Sequence, residues 1–126
     1  MATILIVEDD RVQRELLTAI LEPTYQIAEA TDATEAIIQA RSTRPNLILL
    51  DLNLKGYHDG LKVCHALRKE PDPTLAQVPV VVVSGFMDEE DIAAALAAGA
   101  DSYLSKPWNR SALLALVDRL LAGKKE

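Results

Sequence analysis

The chain has 126 residues, 49% of them hydrophobic and 25% charged, and a formal net charge of −6. Those totals fit one folded domain with a core of its own and exclude a disordered chain. The acidic balance argues against direct binding of nucleic acid, which needs a basic face. The single Cys64 permits no internal disulfide and points to a reducing cytoplasm. The N-terminal apolar run is far too short for a signal core or a membrane span, so no membrane association is expected.

Taken in chain order, apolar runs alternate with helical patterns. Ile4-Leu5-Ile6-Val7 is short, continuous and largely β-branched, as a strand buried on both faces should be. Asp10 then caps a helix in which Val12, Leu16 and Ile20 recur at i, i+4 and i+8, and Pro23 stops it. Tyr25–Ala30 is a weaker strand, expected near a sheet edge. Asp32 and Glu35 form a capping pair for a second helix, ended by Pro45. Leu47-Ile48-Leu49-Leu50 is a second buried strand run, and Asp59-Gly60 opens a third helix carrying Leu61, Cys64 and Leu67. Val80-Val81-Val82-Val83 is a third such run. Asp88 opens a fourth, Ala-rich helix with Ile92, Ala95 and Leu96, and Gly99 suits its C-terminal turn. Asp101–Ser105 is a second weak strand, and Asn109 opens a fifth helix with Leu113, Leu116, Val117 and Leu120. Five βα units imply an α/β domain, a mostly parallel sheet with helices on both faces. A single domain over 1–126 is expected, with a core over 1–122 and a tail over 123–126.

In such a sheet, ligands sit beyond the carboxyl ends of the strands. The polar residues that end the apolar runs are Glu8, Asp9 and Asp10, then Asp51, Ser84 and Lys106. Carboxylates crowded together repel, and a hard divalent cation such as Mg²⁺ relieves them. An Asp nucleophile can then accept a phosphoryl group, with a Lys as point charge and a Ser hydroxyl as donor. Asp10 is left outside the site as a helix cap. His58 and His65 are isolated and read as surface or loop residues, Cys64 as core, and Trp108 as part of a packing or partner-facing surface.

The stretches ILIVEDD, PNLILLDLNL, DGLKV, VPVVVVSG and GADSYLSKP stand in an order and at a spacing that resembles the receiver domain of bacterial two-component response regulators, over nearly the whole chain. The resemblance implies a flavodoxin-like (βα)5 three-layer sandwich with five parallel strands in the order 2-1-3-4-5. It implies Asp51 as phosphoacceptor and a Mg²⁺ (or Mn²⁺) site made by Glu8, Asp9, Asp51 and the backbone carbonyl of Asn53. Ser84 and Lys106 would hold the phosphoryl group, Tyr103 would be the switch aromatic, and Lys106-Pro107 would be a cis peptide. A sensor histidine kinase or histidine phosphotransfer protein would be the donor, docking near Arg11, Gln13 and Arg14. The fourth and fifth helices with the fifth strand would form the output face. The sequence leaves open its partner, pathway and pairing with a second copy. The domain would catalyse its own phosphorylation and hydrolysis, without an external substrate. The family usually reads Pro-Gly where this chain has Lys55-Gly56, and the segment 56–60 is one residue longer than usual.

Three other readings compete. A phosphatase-like hydrolase would place a second Asp at position 53, where this chain has Asn53, and would carry a cap domain. A receiver kept only as a scaffold would normally have lost the acidic pair, the Asp or the Lys. A nucleotide-binding domain would show a Gly-rich loop after the first strand. No output domain follows the fifth helix, so the chain is expected to be a stand-alone regulator or a piece of a longer one.

Overall fold

The continuous apolar runs occupy the middle of the sheet. In a computed structural model, which describes residues 1–52, 54, 59–85 and 88–123, five strands pair in parallel: β1 (Thr3–Val7), β2 (Gln26–Ala30), β3 (Leu47–Asp51), β4 (Val80–Ser84) and β5 (Ser102–Ser105). Their order is β2-β1-β3-β4-β5. β3 and β4 are buried at every position and β1 at all but its first, so both faces of these strands demand apolar side chains. The two weaker runs form the edges, where half-exposed positions admit Gln26, Glu29 and Tyr103.

Alternate strand residues point to opposite faces, and each face has its own helix layer. Ile4, Ile6, Leu47, Leu49, Val81 and Val83 pack under α1 (Arg11–Leu21) and α6 (Arg110–Gly123). Leu5, Val7, Ile48, Leu50, Val80 and Val82 pack under α2 (Ala33–Thr43), α3 (Asp59–Arg68) and α5 (Glu89–Ala97). The result is the expected three-layer sandwich. Cys64 lies in the second core, where burial pushes its thiol up to about 11. Among the described residues no helix is long and apolar enough to cross a membrane.

The expected caps are in place. Asp10 accepts from the Val12 amide, Asp32 from the Glu35 amide, and Asp88 and Asp91 cap reciprocally. Gly99 takes φ +108° just past α5.

Two details differ from the sequence reading. A short helix, α4 (Pro73–Ala76), precedes β4. Pro73 opens it and Asp72 caps it, but a single turn has too few residues to show a period. The fourth and fifth helices of the sequence reading are therefore α5 and α6. On α1, the Val12–Leu16–Ile20 stripe is not the buried one: Val12 is 68% exposed and Leu16 47%, while Leu17 and Leu21 are buried. The helix is turned so that Arg14, three residues before Leu17, also faces the sheet end.

At the opposite rim from the candidate site, Arg68 staples three segments. Its guanidinium donates to the carbonyls of Gly99 (2.7 and 3.0 Å), Val78 (2.8 Å) and Ala76 (3.0 Å), and to Asp101 Oδ2 at 3.0 Å. The same Asp101 oxygen accepts from the Val80 amide at 2.8 Å. Arg68→Met removes every one of the Arg68 donors, and water can reach only some of the acceptors. We expect a loss of about 3 kcal/mol in urea unfolding and a melting point lower by roughly 10 °C. A loss below about 1 kcal/mol would mean that solvent substitutes for the guanidinium.

Candidate functional site

All five strands are parallel, so their carboxyl ends share one rim, and the chain crosses from one side of the sheet to the other between β1 and β3. Glu8 and Asp9 follow β1, Asp51 ends β3, Ser84 ends β4, and Lys106 follows β5. Folding thus gathers residues that lie up to 98 positions apart.

Carboxylate oxygens of Glu8, Asp9 and Asp51 all lie within 4.8 Å of one another. Glu8 and Asp51 are buried, and Asp9 opens to solvent. Lys106 Nζ stands 3.1 Å from Glu8 Oε1 and 3.8 Å from Asp51 Oδ2. Burial pushes the Glu8 carboxyl up, but hydrogen bonding with Asp51 and the Lys106 ammonium outweigh it and hold Glu8 below the usual range. Desolvation and the neighbouring Glu8 push Asp9 the other way, above it. With all three carboxyls ionised, three negative charges against one ammonium leave two, the amount a divalent cation cancels. The donors are hard oxygens, the set that Mg²⁺ or Mn²⁺ prefers, so these residues fit such an ion. Asn53, expected to add a carbonyl, lies outside the described residues, as do Lys55, Gly56, His58 and Phe86.

Ser84 is buried at the same rim, and its hydroxyl donates to the Gly85 carbonyl at 3.2 Å. The Lys106 amide donates to the Ser84 carbonyl at 2.8 Å, which ties the lysine loop to β4. The Lys106–Pro107 bond is cis. Tyr103 stands apart from this group: it pairs with Val82, two residues short of the rim, and is 40% exposed. Trp108, Pro107 and Lys106 line a groove with Gln13, Leu16 and Gly85 beside the carboxylates.

Sequence reasoning missed two features. Arg14, expected as a candidate contact for the donor, turns inward with its side chain 18% exposed and donates to the Glu8 carbonyl at 2.9 Å. Gly60 abuts the backbone of Asp51 and Leu52, and its amide donates to the Leu52 carbonyl at 2.9 Å. The glycine in the opening turn of the third helix was the available signal for the second. Nothing in residue type distinguished Arg14 from its exposed neighbour Arg11.

A family model for the response regulator receiver domain matches residues 4–118. The DNA-binding response regulator MtrA of Mycobacterium tuberculosis is 37% identical over 115 residues, which are 90% of this chain and 48% of that protein. The KDP operon transcriptional regulatory protein KdpE of Escherichia coli is 39% identical over 109 residues, 86% of this chain and 46% of that protein. The chain therefore spans about half the length of these curated relatives. Among solved structures, a two-component response regulator from Clostridium difficile superposes with a TM-score of 0.89 at 30% identity, covering 100% of both chains. The signal receiver domain of a histidine kinase from Syntrophus aciditrophicus gives 0.86 at 36% identity, covering 98% of this chain and 92% of that one. With its fold, its rim and these likenesses in agreement, the chain belongs to the response regulator receiver domain family of bacterial two-component signalling.

Proposed function

We propose that this domain accepts a phosphoryl group on Asp51 from a histidine kinase or a histidine phosphotransfer protein, in the cytoplasm. One observation carries the reading: Glu8, Asp9 and Asp51 converge within 4.8 Å beside the Lys106 ammonium. Glu8, Asp9, Asp51 and the carbonyl of Asn53 would hold Mg²⁺ or Mn²⁺, which when bound neutralises the carboxylates and the incoming phosphoryl oxygens.

The rest of the chemistry belongs to the chain's own residues. An Asp51 carboxylate oxygen forms the new bond to phosphorus while the P–N bond of the phosphohistidine breaks, and the imidazole leaves with the electron pair. Lys106 shifts from Glu8 and Asp51 to a phosphoryl oxygen as a point charge. The Ser84 hydroxyl exchanges the Gly85 carbonyl for a phosphoryl oxygen. That movement at the end of β4 biases the face formed by α5, β5 and α6, with Tyr103 exposed on it, between two populations. This face would meet the output partner, and it is also where a second copy could pair. The groove lined by Leu16, Pro107 and Trp108, with Val12 exposed on the same helix, would seat the donor next to Asp51. A net charge of −6 fits a receiver that leaves any nucleic-acid contact to another domain. Attack and later hydrolysis need no group outside this rim, so the domain would catalyse both without turning over a substrate of its own.

The test is intact mass after incubation with acetyl phosphate, with and without Mg²⁺. A labile single-phosphoryl increment that requires Mg²⁺ supports the reading. Absence of any increment, together with absence of Mg²⁺ binding, overturns it.

A further inference from the structure

The backbone of Glu8 is held on both sides. The Glu8 amide donates to the Ala30 carbonyl of β2 at 3.0 Å, and the Glu8 carbonyl accepts from Arg14 Nη1 at 2.9 Å. Arg14 Nε in turn pairs with Glu29 Oε1 at 3.1 Å, so the edge strand anchors the guanidinium. The Glu8 carbonyl and the Asp9 amide belong to one rigid plane. Fixing that oxygen therefore fixes the orientation from which the Asp9 side chain leaves the backbone. β1 ends at Val7, so the ladder no longer imposes this orientation on its own.

We propose that Arg14 is a positioning residue: by holding the Glu8 carbonyl it aims Glu8 and Asp9 at a shared divalent cation. This rests on the metal-dependent reading above and deepens it. Electrostatics and positioning predict opposite signs here. A guanidinium near a cation site repels the cation, so by charge alone its removal tightens Mg²⁺ binding. Loss of positioning weakens it, as loss of partners that orient metal ligands does.

The experiment is a Mg²⁺ titration at constant ionic strength, followed by the backbone amide shifts of residues 8–10, on wild type, Arg14→Met, Arg14→Lys and Asp9→Asn. Circular dichroism and melting in EDTA report folding separately. Met keeps the aliphatic stem without donor or charge, and we expect about tenfold weaker binding with a native spectrum. Lys restores one donor and should recover most of the affinity. Should Arg14→Met fail to fold, Arg14→Gln takes its place in the comparison. Binding by the neutral variant as tight as wild type or tighter, with Asp9→Asn weakened, overturns the positioning role and leaves the metal site standing. No binding by wild type overturns both.

Discussion

Asp51→Asn is expected to abolish phosphoryl uptake from acetyl phosphate while leaving the domain folded. The amide keeps the size and planarity of the carboxyl but has no anionic oxygen to attack phosphorus. The neighbouring acids are poor substitutes. Glu8 Oε1 is engaged by Lys106 and its Oε2 accepts from the Asp10 amide at 3.3 Å, and Asp9 lies at the solvent side of the cluster. The cost to stability is small because two effects oppose. The longer of the two Lys106 contacts, 3.8 Å, is lost, and repulsion among three carboxylates is relieved. The net change should stay within about 1 kcal/mol. Intact mass and chemical unfolding on the same sample check both halves. An increment that persists in Asp51→Asn would place the acceptor elsewhere, and a variant that no longer folds would give Asp51 a structural role.

Much of this was legible in the sequence because buried parallel strands write themselves as unbroken apolar runs. Ile4–Val7, Leu47–Leu50 and Val80–Val83 announced the three central strands, and the polar residue after each run marked the rim. The caps were legible for a similar reason: only a few side chains can accept from the first free amides of a helix, and Asp10, Asp32 and Asp88 are of that kind. What remained hidden was orientation. A helix of eleven residues carrying Val12, Leu16, Leu17, Ile20 and Leu21 offers two overlapping apolar stripes, and only packing against β1 and β2 selects Leu17 and Leu21. The same rotation turns Arg14 inward and leaves Arg11 outside, paired with Glu15 at 2.9 Å. The ion pair between Lys106 and Glu8 was hidden as well, since strand ends reveal which residues share a rim and not which atoms meet.

Among the described residues, Gly60→Ala should be the most damaging of the single-methyl additions near the site. An alanine Cβ at position 60 would stand 2.8 Å from Leu52 Cα and 3.0 Å from the Leu52 carbonyl oxygen, and it would overlap the carbonyl oxygen of Asp51. All three are backbone atoms at the end of a buried strand, so none can rotate away as a side chain would. Helix propensity alone has the opposite sign and favours Ala over Gly by about 1 kcal/mol. The clash must therefore be relieved by backing α3 away from β3. That opens the layer where Val63, Cys64 and Leu67 pack, and overpacking of this kind costs about 3 kcal/mol. The shift also breaks or lengthens the 2.9 Å bond from the Gly60 amide to the Leu52 carbonyl. Because Leu52 follows Asp51 directly, the acceptor carboxylate moves relative to Glu8 and Lys106. We therefore expect Gly60→Ala to lose stability in urea unfolding and phosphoryl uptake at 4 °C together, even in the folded fraction. A variant as stable as wild type would show that the first turn of α3 yields without cost. A destabilised variant with wild-type uptake would show that the close approach of Gly60 serves the fold alone and leaves the aim of Asp51 to its other neighbours.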